Sequence, residues 1–136
     1  MEVDTTQLLT DYITSWNSHD VDKLLSFFGD NPVYEDVSLG RFVRGKKDLK
    51  ALLDSVFVDI AGLEMEIKSI FGTGNWGASE WIMSGKFVHS SDPALVATGK
   101  YFSIRGATIF ELSNGKIVRN TDYLNLTAFL QQTTAA

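Results

Sequence analysis

The chain has 136 residues, the length of one domain, and its 44% hydrophobic and 21% charged residues suffice for one sizeable core. A formal net charge of -5 and a pI near 4.9 argue against nucleic acid, which selects a basic face, and against anionic membrane surfaces. There is no cysteine, which excludes disulfides, thiolate metal sites and a cysteine nucleophile together and makes a cytoplasmic location the default.

Leu8, Leu9, Tyr12, Ile13 and Trp16 recur at steps of three and four, which predicts an amphipathic first helix over 4–17. Asn17-Ser18-His19-Asp20 interrupts it, and Asp20 is placed to cap a short second helix whose buried face is Leu24, Leu25, Phe27 and Phe28. Pro32 ends that helix, and residues 33–37 alternate as a strand. Gly40 and Gly45 bracket an irregular connection through Arg41-Phe42-Val43-Arg44. A third helix follows, with its stripe at Leu49, Leu52, Leu53, Val56 and Phe57.

From residue 63 the pattern becomes alternating, with strands expected at about 63–71, 75–89, 98–112 and 115–123. Asn114-Gly115 is a hairpin turn joining the last two. A short final helix over roughly 124–131 presents Leu126, Phe129 and Leu130. No run approaches the ~20 apolar residues of a membrane span, and the residues ahead of Asp4 have no signal-like composition. Helices first and long strands last predict a single α+β domain over 1–136, with three N-terminal helices packed on a curled, mainly antiparallel sheet. A curled sheet roofed by helices is a cone with a hollow in it.

The carrying segments are Trp16-Asn17-Ser18-His19-Asp20, Phe28-Gly29-Asp30-Asn31-Pro32-Val33-Tyr34-Glu35-Asp36, Gly45-Lys46-Lys47-Asp48-Leu49, and Arg105 to Tyr123. In these the chain resembles the cone-shaped superfamily of nuclear transport factor 2, scytalone dehydratase and ketosteroid isomerase, in particular its SnoaL-like polyketide cyclase branch. The resemblance implies the cystatin-like cone, a homodimer through the outer sheet face and, since the superfamily holds enzymes and binding modules alike, a function to be argued from the site.

Set against ketosteroid isomerase, Asp36 matches the general base and Tyr12 the donor to the substrate oxygen. That enzyme's second donor aligns near Ala107, which has nothing to donate. From the residues alone, Asp36 is equally a turn or cap carboxylate and Tyr12 a core tyrosine. Asp122 matches the acid/base of SnoaL-like cyclases and shares a face with Asn120 and Val118; the other reading pairs it with Arg119 or Arg105 at the sheet surface. Two carboxylates converging in one hollow should have pKa values pushed apart, one acid and one base.

Epoxide hydrolases of this fold need an arginine and an aspartate where this chain carries Trp81 and Met83, which form an apolar wall with Phe87. His19 and His89 are read as loop residues, no metal site is legible, and Gly72-Thr73-Gly74 lies in a strand turn, not at a helix start. The expected function is a cofactor-independent acid/base enzyme of isomerase, cyclase or lyase type for a small apolar carbonyl or polyketide-like molecule. Asp36, Asp122 and Tyr12 would be catalytic, and Tyr34, Trp16, Trp81, Met83, Phe102 and Asn120 would hold the substrate. The alternative is a cavity that binds a small apolar ligand without turnover, or a dimeric adaptor.

Overall fold

The computed structural model describes residues 4–134. The first helix, α1 (Thr5–Ser15), starts where the Asp4 carboxylate accepts the Gln7 N–H at 3.0 Å, and it buries Leu9, Tyr12 and Ile13. A single 3-10 turn, Trp16–Ser18, continues it to His19, whose backbone is left-handed at φ 57. Asp20 then caps α2 (Val21–Leu25) by accepting the Lys23 N–H at 3.1 Å.

The strands are β1 (Phe28–Asp36), β2 (Arg41–Arg44), β3 (Ile60–Thr73), β4 (Trp76–Phe87), β5 (Tyr101–Ser113) and β6 (Lys116–Leu124). Helix α3 (Lys46–Asp59) lies between β2 and β3, and α4 (Leu126–Thr133) closes the described chain. All six strands form one open sheet in the order β2-β1-β6-β5-β4-β3. Every neighbouring pair is antiparallel except β1 with β6. Helix α1 lies across β3 and β4, α3 against β1, β2 and β3, and α4 against β5, so the helices roof one face of the sheet. None of the helices is long and apolar enough to cross a membrane.

Two local expectations are corrected. Phe28 does not end the second helix; it opens β1 and pairs with Ile117, because the strand begins four residues before Pro32. Proline is tolerated there since the β1–β6 register is irregular between Phe28 and Val33, so Pro32 removes no ladder donor. Arg41–Arg44 is an edge strand and not an irregular link: Val33 to Asp36 pair with Arg44 to Arg41. Four residues between two glycines are too short to show a period of their own.

The Asn17-Ser18-His19-Asp20 word has a structural duty. The Asn17 side chain donates to Met65 O at 3.1 Å and accepts from Met65 N at 2.7 Å, acting as a strand partner for the exposed edge of β3. His19 Nε2 lies 2.8 Å from Leu63 O on the same edge. His19 is therefore an anchor and no loose loop residue.

The core runs between roof and sheet through Leu9, Leu24, Leu49, Leu53, Phe102 and Phe110, all fully buried. Each such side chain contributes roughly 1.5–3 kcal/mol by leaving water. Trp81 fits the inner face because its register partner on β5 is Gly106. A Cβ at Gly106 would lie 2.3 to 2.8 Å from the Trp81 indole. Gly106→Ala should therefore destabilise the fold by about 1–3 kcal/mol through overpacking, read as a lower urea midpoint at unchanged m-value.

Candidate active site

Between the roof and the inner sheet face lies a cavity of about 110 Å³, an order of magnitude above the roughly 10–15 Å³ one water needs. Its wall is mainly apolar: Trp16, Met65, Trp81, Met83, Phe87 and Phe129 among others. Into this wall project three carboxylates, Asp36, Asp59 and Asp122.

Asp122 carries the densest set of contacts. Thr108 Oγ1 donates to its Oδ1 at 2.6 Å, Asn120 Nδ2 to the same oxygen at 2.9 Å, and Tyr34 Oη to its Oδ2 at 2.6 Å. The network extends outward on both sides. Trp81 Nε1 donates to Thr108 Oγ1 at 2.9 Å, and Tyr12 Oη donates to Asn120 Oδ1 across a long 3.4 Å. Burial pushes the Asp122 carboxyl up to about 6, and its three donors only partly offset that shift. No cation among the described residues offsets it, and Arg119 lies on the opposite face, bonded to Glu111 at 3.2 Å and stacked on Trp76.

Burial raises both tyrosines above the usual phenol range, with the Asp122 charge as a second cause, so they are donors and not anions. Asp36 is likewise raised by burial, opposed by the Leu39 N–H and by the Arg41 charge. Its Oδ1 accepts the Leu39 N–H at 3.0 Å, so Asp36 both closes the β1–β2 turn and lines the cavity. Asp59 is engaged elsewhere, by His89 Nδ1 at 2.8 Å and by Ser91 N and Oγ at 3.0 and 2.8 Å.

The register explains why these groups meet. Arg41, Asp36, Asp122 and Thr108 are successive cross-strand partners on β2, β1, β6 and β5. Partners directly opposite share a face, so one polar row crosses four strands.

Comparison with known proteins agrees with this architecture. Residues 9–120 match the model of the SnoaL-like domain. The chain belongs to the SnoaL-like domain family. It is 30% identical over 105 residues to the cyclase aurE of Calcarisporium arbuscula, covering 76% of this chain and 74% of that protein. Among solved structures it resembles a proposed polyketide cyclase from Pseudomonas putida KT2440, with a TM-score of 0.83 at 20% identity over 98% of this chain and 100% of the other. A protein of ketosteroid isomerase-like fold from Catenulispora acidiphila DSM 44928, in complex with trimethylamine, gives a TM-score of 0.80 at 18% identity, over 95% and 93%. At such identities these structures establish the fold of the SnoaL-like chain and nothing finer.

In this SnoaL-like cone Tyr12, Trp16, Tyr34, Asp36, Trp81, Met83, Asn120 and Asp122 all line the cavity. Phe102 does not. It is fully buried behind the wall, with its ring 4.9 Å from Phe129, which takes the lining position. Val118 does not share the buried face with Asn120 either. A bulge opposite Glu111 and Leu112 shifts the phase, and Ile117 is buried instead.

Thr108, which lines the cavity and bonds Asp122, is a candidate that sequence reasoning missed. The family comparison drew attention to Ala107, which pairs with Tyr123 on the outer face. Alternation along β5 from the buried Phe102 and Ile104 would have pointed one residue further. Thr108→Val removes a donor to the charged form of Asp122 and should raise its carboxyl further above about 6. Carbon-detected NMR titration of the Asp122 side chain checks this.

Proposed function

We propose that this SnoaL-like chain is an acid/base enzyme of cyclase or isomerase type, which needs no cofactor and acts on a small, largely apolar carbonyl or polyketide-like molecule. The observation that carries the proposal is the Asp122 carboxylate, held by three neutral donors and no cation at the wall of an apolar cavity. Its carboxyl, pushed up to about 6, is near the pH at which a base is both ionised and strong enough to take a proton. The shared family with the cyclase aurE supports the same reading.

In this mechanism Asp122 removes the proton from the carbon beside the substrate carbonyl. Tyr34, Thr108 and Asn120 fix its orientation, and the protonated Asp122 itself returns the proton elsewhere on the substrate, with Asp36 one strand away in the same wall. Tyr12 sits where a shift of its long bond to Asn120 would let it donate to the substrate oxygen. Trp16, Trp81 and Met83 exclude water and so strengthen each of these interactions.

The sign of the pH dependence follows from the base role. Only ionised Asp122 accepts a proton, so kcat/KM should rise with pH through about 6 and level off above it. Asp122→Asn should abolish solvent-deuterium exchange at the acidic carbon of aryl ketone probes, while changing stability by no more than about 1–2 kcal/mol. Exchange that persists in this variant would remove Asp122 as the base, and no exchange above background in the wild type would return the cavity to a pure ligand-binding role.

We further propose a homodimer through the outer sheet face. Phe71, Trp76, Ile109 and Tyr123 stand exposed there on four consecutive strands, a wide apolar surface for one chain to leave in water. Sedimentation equilibrium should give twice the mass of 15.1 kDa, and Trp76→Glu with Ile109→Glu should return it to the monomer value.

A further inference from the structure

Arg41 is the sole cationic side chain among the described residues that line the cavity. It stands on the edge strand β2, opposite Asp36, and begins the polar row that ends at Thr108. Its side chain is about one quarter exposed and forms one ion pair among the described residues, with Asp92 at 3.7 Å. That is a long ion pair, and Arg41 donates no hydrogen bond to any described residue. A planar fork of five N–H groups is thus held at the cavity rim with its donors unengaged. Of the other polar groups of the wall, Asp122 and Asp59 accept three donors each, and Thr108, Asn120 and Tyr34 donate to Asp122.

Such a fork matches the two oxygens of a carboxylate. Asp92, on the segment between β4 and β5, already offers Arg41 that group from within the chain. We propose that Arg41 is the carboxylate anchor of the ligand, whose acid group displaces Asp92 at the rim. This deepens the functional reading above and rests on it: the substrate is an oxo-acid with an apolar body. Asp122 lies two strands inward of Arg41, roughly 10 Å away at about 4.8 Å per strand. The acid end therefore stays at the rim, and a carbonyl a few bonds along the molecule reaches Asp122. Asp36 stands between the two and its charge repels a carboxylate, which keeps the acid from entering deeper.

The test uses 3-benzoylpropionate and its methyl ester, with binding read from the fluorescence of Trp16 and Trp81 in the cavity wall. The wild-type chain should bind the acid at least tenfold more tightly than the ester. Arg41→Gln should erase that preference and leave the ester unchanged. Asp92→Asn, which removes the internal competitor, should tighten the acid at least threefold without affecting the ester; a bond that merely holds a loop would not discriminate. Equal affinity for acid and ester in the wild type, binding of neither at millimolar concentration, or a preference that survives Arg41→Gln would overturn the assignment. If Arg41→Gln does not fold, an unchanged acid affinity in Asp92→Asn overturns it instead. Deuterium exchange beside the ketone is followed in the same samples. Exchange that is absent while the acid preference holds removes the catalytic role of Asp122 and leaves Arg41 as an anchor.

Discussion

The site depends on one constraint, a carboxylate largely withdrawn from water, with no counter-ion among the described residues beside it. Removing an ion from water costs several kcal/mol even after relaxation. Hydrogen bonds to a charged group return about 1.5–3 kcal/mol each. Thr108, Asn120 and Tyr34 supply three such bonds to Asp122, enough to hold it in place and too few to make it an ordinary aspartate. A guanidinium in the same place would have driven the carboxyl below the usual range. Arg119, three residues along the same strand, is kept away by the alternation of the strand and by Glu111 and Trp76 on the outer face. The pleat of β6 thus does as much for the reactivity of Asp122 as its direct partners.

The architecture was legible because its determinants are local and periodic. The helical stripes, the alternation after residue 63 and the Asn114-Gly115 turn each specify their own element, and the family words assembled them into a cone. What escaped was short or out of phase. β2 has four residues and exists through its pairing with β1; the start of β1 is concealed by Pro32 and an irregular register; the bulge at Val118 resets which side of β6 is buried. Each of these is decided by a neighbouring strand, and a one-dimensional pattern carries no record of its neighbours.

The candidate site shows the same division. Asp36 and Asp122 could be placed on inward faces by counting, and both line the cavity. The competing readings of Asp36 proved compatible, since one oxygen closes a turn while the group faces the hollow. Thr108 could be placed inward by counting but not singled out, and Phe129 could not be placed by counting along its own segment. Thr108 matters through its partner across the sheet, and Phe129 takes the wall position expected of Phe102 because α4 folds back over β5. The converse holds for the Asn17 to Asp20 word. It looks like site chemistry, yet its side chains cap a helix and close the edge of β3.

The parallel contact between β1 and β6 has a consequence for biogenesis. Tyr12, Tyr34 and Asp36 are made well before Thr108, Asn120 and Asp122, which the fold brings beside them. Until β6 docks, the first strand has no inner neighbour, and loops of this span make assembly slow. A nascent chain that has not reached residue 116 holds every helix of the roof but α4 and lacks both Asn120 and Asp122, so the polar row is completed in one step, when β6 is added.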